Sequence, residues 1–352
     1  FPLRHAHVFE AHVGHGAEGC LHRAEDAALP EEVRAQGEPE EEPADDAPEP
    51  GLGAVGTGKA QRRQRQPADL ARLTDLTKRP AEGLPVGLVP RGACLLVAGI
   101  DVQGDRWEMT VWGVGRGMET WAIDSRVVFG NTAEASEWES KVEPLIGLTY
   151  PHASGATLAL SAVAIDTGHQ THAAYAFCRK HARAKVYAVK GDGELGKPIK
   201  ARRSLMDVNE RGRKIRKGVA LWHVGTDTAK DLLHGRLQLD TPGPGYVHFA
   251  AGLPEAWFAQ ITAESRIPVR TTRGIEHRWQ CPQGRRNEAL DIAVYAMFCM
   301  EMLDVQTWSD RVWATLERAL EPDLFSASRP DHQGAVEIKT TIAQEPTKPV
   351  SA

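Results

Sequence analysis

Two apolar runs, Cys94 to Ile100 and Leu158 to Ile165, each stop at an aspartate, Asp101 and Asp166. Runs of that length suit strands buried on both faces, so the chain needs a sheet with helices packed over it. A carboxylate where such a strand runs out is costly unless it holds something. A third acid, Asp291, stands in Arg286-Asn287-Glu288-Ala289-Leu290-Asp291, at the start of a helical run rich in Ala, Leu, Ile and Val. Oxygen donors placed this way suit a divalent-metal nuclease.

From Ala93 onward, strand and helix patterns follow one another closely. Strands are predicted over about 94–103, 107–114 and 119–129, with hairpin turns at Gly104-Asp105 and Gly115-Arg116-Gly117. A helix opened by Asn131 or Thr132 runs towards Ile146. A buried strand (158–165), a helix (about 171–183), a strand from Lys185 to Val189 and further helices complete the core. Gly113-Val-Gly115-Arg-Gly117 lacks the spacing of a dinucleotide loop and reads as a turn. This order resembles the ribonuclease-H-like fold, an α/β mixed sheet flanked by helices, over 91–304. In that fold one acid sits on the first strand, one ends the fourth strand and one rides a later helix. Asp101, Asp166 and Asp291 take those three places.

Two Mg2+ or Mn2+ ions held by such carboxylates serve in-line attack on a phosphodiester. Glu288, one turn before Asp291, is a candidate fourth metal ligand or a support for the others. Lys190 directly follows an apolar strand, where its ammonium would reach a scissile phosphate.

The net charge of −5 argues against nucleic acid only as an average. Seven acids fall between Glu38 and Glu49, outside the periodic region. Between Arg179 and Lys217 the chain is strongly basic, with Lys190, Lys197, Lys200, Arg202, Arg203, Arg211, Arg213, Lys214, Arg216 and Lys217. Residues 191–218 lack apolar periodicity and read as a long mobile loop able to neutralise phosphates without reading sequence.

Residues 1–90 read as a disordered or non-native segment. Its five histidines up to His22 match no zinc spacing. In Gly53-Ala-Val-Gly-Thr-Gly58-Lys59-Ala60 an alanine stands where a phosphate loop needs a hydroxyl, with neither a strand before it nor a helix after it. No intact ATPase is therefore expected there. Five cysteines without a CxxC pair favour reduced thiols in a cytoplasmic protein. No stretch reaches the roughly 18 apolar residues needed to span a bilayer. After Leu303, Trp308, Val312, Trp313, Leu316 and Leu320 form an amphipathic stripe (305–322) expected to pack on the core. Residues 323–352 read as a disordered tail.

Six segments carry a family resemblance: Ala98-Gly-Ile-Asp-Val-Gln103, Ile165-Asp-Thr-Gly-His169, Val189-Lys-Gly191, Gly225-Thr-Asp-Thr-Ala-Lys-Asp231, Pro244-Gly-Tyr-Val-His-Phe249 and Arg286-Asn-Glu-Ala-Leu-Asp-Ile-Ala-Val-Tyr-Ala296. In content and order they resemble the nuclease half of the large terminase subunit of lambda-like tailed phages, over about Val89 to Leu303. The resemblance implies an endodeoxyribonuclease that cuts concatemeric phage or prophage DNA for packaging, in the cytoplasm of a bacterial host. Asp101, Asp166 and Asp291 would be its acids, and double-stranded DNA, the terminase small subunit and the prohead portal its partners. Lys190, Thr226, Asp227 and Lys230 fall in its other motifs, as residues that would contact DNA phosphate or support the ligands. The alternatives are another nuclease of this fold, such as a resolvase or transposase, or an inactive prophage remnant that only binds DNA.

Overall fold

A computed structural model describes residues 76–77, 79, 84–210, 213–272 and 274–321. The His-rich, acidic and glycine-rich stretches of the N-terminal segment, and the tail from 322, lie outside the described residues.

The first three strands, β1 (Leu95–Val102), β2 (Arg106–Val114) and β3 (Thr120–Phe129), form an antiparallel meander. Their bounds follow the apolar runs closely, because burial on both faces of β1 selects an unbroken hydrophobic stretch. Gly117, at φ 68°, makes the turn into β3.

The helix expected from Asn131 begins later and is split into short pieces, Ala135–Glu137, Trp138–Val142 and Glu143–Ile146. Both expected caps serve turns instead. Asn131 Oδ1 accepts from the Ala133 amide, and the Thr132 hydroxyl donates to the Gln103 and Gly104 carbonyls. That contact ties down the turn that follows β1.

β4 (Thr149–Pro151) pairs with the outer end of β5 (Thr157–Asp166), and β5 runs parallel to β1. Next come α2 (Thr171–Lys180) and β6 (Val186–Asp192), parallel to β5. The stretch expected as a mobile loop is largely a two-stranded ribbon, β7 (Lys200–Glu210) and β8 (Arg213–Gly225). Only the end of β8, from Leu221, pairs with β6. The rest of the ribbon has no further strand beside it among the described residues, charged side chains cover it, and the apolar alternation shrinks to Val208, Ile215 and Val219.

After the ribbon come α3 (Thr226–Leu237), β9 (Val247–Phe249), α4 (Glu255–Ile261), the hairpin of β10 (Ser265–Thr271) and β11 (Gly274–Gln280), and α5 (Glu288–Met302). The main sheet has the order β7-β8-β6-β5-β1-β2-β3-β9, with β4 beside β5. An antiparallel meander continued by parallel strands, with helices packed against it, is the ribonuclease-H-like arrangement expected above.

α5 lies across β1, β2 and β5. Its apolar side chains from Ala289 to Met300 are buried almost without interruption. A Cβ at Gly99 would collide with the Ile292 carbonyl, so glycine in β1 permits the close crossing. The last helix, α6 (Asp310–Leu320), buries Trp313 and Leu320 and packs Leu316 on the core, as does Trp308 just before it. The stripe read from the sequence is thus turned inward.

Candidate active site

In the parallel pairing of β1 with β5, Ile100 sits opposite Ile165. The next residues, Asp101 and Asp166, therefore leave neighbouring strands at the same level, on backbones about 4.8 Å apart. The carboxyl ends of parallel strands open a crevice, and both acids stand in it. α5 brings Asp291 and, one turn on, Tyr295 to the same place. Gly99, where a Cβ would collide with the Ile292 carbonyl, permits the close crossing of α5 here.

Asp101 is 6% exposed and accepts one hydrogen bond from Gln103 Nε2. Burial pushes its carboxyl up to about 7; Gln103 opposes this, while the charges of Asp166, Asp291 and Glu288 add to it. Burial also raises Asp166, offset by hydrogen bonds from the Gly168 amide, the Tyr295 hydroxyl and the Thr167 amide. Among the described residues, neither acid forms an ion pair. Asp124, another buried acid, shows the contrast: Arg126 at 2.6 Å and the Tyr150 hydroxyl at 2.9 Å satisfy it as an ordinary structural residue.

Asp291 is held differently. Lys230 Nζ stands 2.9 Å from its Oδ1 and 2.7 Å from Glu264 Oε1. Asn287 Nδ2 donates to Asp291 Oδ2 at 3.0 Å and to Glu264 Oε1 at 2.6 Å. Burial raises the Asp291 carboxyl, and Lys230 works against that rise. Burial alone would lower the Lys230 ammonium, but Asp291 and Glu264 outweigh it and raise it. Tyr295, buried beside all three aspartates, has its phenol raised well above 10.

Glu288 lies in a charged lattice at the edge. Its Oε1 accepts from Arg106 at 3.1 Å and Arg286 at 3.0 Å, and both arginines also bind the buried Glu108. The other oxygen, Oε2, is buried with no hydrogen-bond partner among the described residues. Hard oxygen donors, two adjacent carboxylates without a counter-charge, one of them buried, and an orphaned carboxylate oxygen fit a divalent cation. As arranged, no three acidic, imidazole or thiol groups among the described residues stand close enough to hold one ion.

Residues 61–313 match the family described as terminase large subunit gpA, endonuclease domain. The chain belongs to that family. It is 32% identical to the terminase large subunit of Escherichia phage lambda over 265 residues, 72% of this chain and 38% of the relative. With the terminase large subunit of Enterobacteria phage P21 it shares 31% identity over 230 residues, 62% of this chain and 34% of the relative. The chain thus spans little more than a third of either relative. A weaker structural similarity, TM-score 0.29 at 11% identity, covers 62% of this chain and 98% of the g2p large terminase nuclease domain of bacteriophage SPP1, solved with bound Mn.

Within this terminase domain the remaining candidates lie in several surroundings. Lys190 is exposed but sits inside β6, which runs three residues further than expected. Lys197 is paired with Asp192 and Glu194, Lys200 with Asp304, and Lys214 with Asp207. Arg202 and Arg203 are exposed on β7, and Arg203 lies over the Trp222 ring. Arg213 begins β8, and Arg211 lies outside the described residues. Lys230 and Asp227, expected to contact phosphate or to support the ligands, are buried: Lys230 faces Glu264 and Asp291, and Asp227 binds Arg266 of β10. Thr226 donates to the Asp192 carbonyl. These three occupy the packed side of α3, which a linear motif does not reveal.

Gln103, Glu264, Asn287 and Tyr295 escaped the sequence reading. Asn287, Asp291 and Tyr295 recur at helical spacing on α5, and that spacing could have identified them. Glu264, between α4 and β10, carries no such signal. No helix among the described residues is long and apolar enough to cross a membrane. Cys94, Cys178 and Cys299 are buried free thiols and Cys281 is a half-buried one.

Proposed function

We propose that this domain is a metal-dependent endodeoxyribonuclease that cuts concatemeric double-stranded DNA for packaging in the cytoplasm of a bacterial host. The observation that carries this reading is the placement of buried Asp101 and half-buried Asp166 side by side without a counter-charge, with Asp291 delivered beside them by α5. Two bound Mg2+ or Mn2+ ions would activate the attacking water and stabilise the leaving oxygen.

The protein's own residues prepare that chemistry. Gln103 orients Asp101, while Tyr295 and the Thr167 and Gly168 amides orient Asp166. Lys230 and Asn287 hold Asp291, and Arg106 with Arg286 fixes Glu288 next to it. Lys190 and the cationic ribbon would bear on phosphates beside the crevice. The terminase small subunit and the portal are its proposed partners. Because the α6 stripe packs inward, a partner would meet the outer, polar face of that helix.

The test is cutting of supercoiled plasmid by the full chain with Mg2+ or Mn2+, against EDTA and against Asp101→Asn and Asp166→Asn. Each variant is expected to lose on the order of a hundredfold in rate, equivalent to about 2.7 kcal/mol of transition-state stabilisation, while its circular dichroism is unchanged. Cutting in EDTA, or equal cutting by the variants, would refute the assignment. Retained DNA binding with no cutting under any metal would favour an inactive remnant.

A further inference from the structure

We propose that Lys230 is a latch on the third acid. Its ammonium and Asn287 satisfy Asp291, so a second divalent ion must displace an internal ion pair, whereas the first, at Asp101 and Asp166, has none to displace. The latch presupposes the metal-dependent reading of the site and adds to it an order of loading and a positioning residue.

Three observations converge. Both Asp291 oxygens are occupied by protein donors, Oδ1 by Lys230 and Oδ2 by Asn287, while Asp101 and Asp166 have no cationic partner among the described residues. Each of those two donors also binds Glu264 Oε1, at 2.7 and 2.6 Å. The side-chain exposures then separate the partners: Glu264 5%, Lys230 10% and Asp291 28%. Glu264 is the buried anchor, and Asp291 is the member that faces the crevice.

This asymmetry makes the latch releasable. A buried ammonium that loses its only partner is strongly penalised, but Lys230 released from Asp291 remains paired with Glu264. The cost of freeing Asp291 is therefore one partner of two. α3 holds Lys230 and α5 holds Asp291 on rigid backbones, so the exchange needs only side-chain rotation. A residue that merely filled space would not affect metal loading.

The experiment is Mn2+ binding to the full chain, followed by calorimetry and by the electron paramagnetic resonance signal of free Mn2+, with thermal melts in EDTA as the folding control. Wild type is expected to bind one ion more tightly than a second, and Asp101→Asn to lose the tight one. Lys230→Met should tighten the weaker ion at least tenfold and move the tight one less than twofold. Glu264→Gln has the opposite sign: the ammonium, without its anchor, pairs more strongly with Asp291 and weakens the second ion. Lys230→Arg should stay within threefold of wild type. If Lys230→Met unfolds, Glu264→Gln alone decides. Isotherms of Lys230→Met and Glu264→Gln that superimpose on wild type, with the tight ion still lost in Asp101→Asn, would overturn the latch and leave the nuclease reading intact. A wild-type chain that binds no Mn2+ would overturn both.

Discussion

At Asp101 stability and function pull in opposite directions. Burial and three neighbouring acids raise its carboxyl from 3.8 in the unfolded chain to about 7. A raised carboxyl binds its proton more tightly in the folded state, so its contribution to stability is greatest in acid and is lost as pH climbs from about 4 to about 7. Asp101→Asn keeps the shape and an oxygen for Gln103 but removes the charge. In EDTA its melting temperature is expected to exceed that of wild type at pH 8, with the gain shrinking as pH falls and vanishing below about pH 4. Equal melting curves at pH 8 would show that the carboxylate is not under this stress. The three aspartates stand out in the sequence as candidates because acids interrupting apolar runs are conspicuous. Gln103, Glu264 and Tyr295 were not, because their roles come from contacts across the fold, and a tyrosine in an apolar helix reads as core.

Elements were legible where burial is continuous and obscure where it is not. β1 and α5 are buried almost throughout, β5 is buried from Ala162 to Ile165, and all three match their apolar runs; the ribbon of β7 and β8 is mostly solvated and reads as a loop. α6 falls between these cases. Its helical stripe showed in the sequence, but the surface it covers, formed by Cys94, Leu95 and Leu158, could only be seen in the fold. Two kinds of contact hold it: buried Leu320 and Trp313, and the ion pairs of Arg116 with Asp310 and Glu317 at the surface. Solvent screens the ion pairs, so apolar burial should dominate. Leu320→Ala is expected to cost about 2 kcal/mol in urea denaturation, at the low end for a leucine whose site can partly collapse. Arg116→Ala should leave the midpoint nearly unchanged. The reverse ranking would mean that electrostatics, not packing, docks the helix.

Over the whole molecule, charge is separated in a way the net value of −5 hides. The ribbon extends beyond the sheet from β8, whose other end lies beside β6 and the crevice. Where its register shifts between Met206 and Val208, β8 carries an extra stretch with exposed Arg216 and Lys217, and Arg202 is exposed on β7. None of these three side chains forms an ion pair among the described residues, although Asp207 accepts from the Lys217 amide and lies near Arg216; Lys197, Lys200 and Lys214 are all paired. A long, thin, cationic element beside buried acids can bind phosphates on either side of the cut without reading bases. If it does, each cation on a phosphate contributes about 0.9 to the slope of log affinity against log salt. The combined variant Arg202→Gln, Arg216→Gln and Lys217→Asn, the last chosen because Lys217 has φ 51°, which asparagine tolerates, should lower that slope by about 2 to 3. Affinity should fall equally for unrelated duplexes, and Mn2+ binding should not change, because no acid of the crevice is touched. An unchanged slope would mean that these charges only solvate the ribbon, and that DNA reaches the acids along another face.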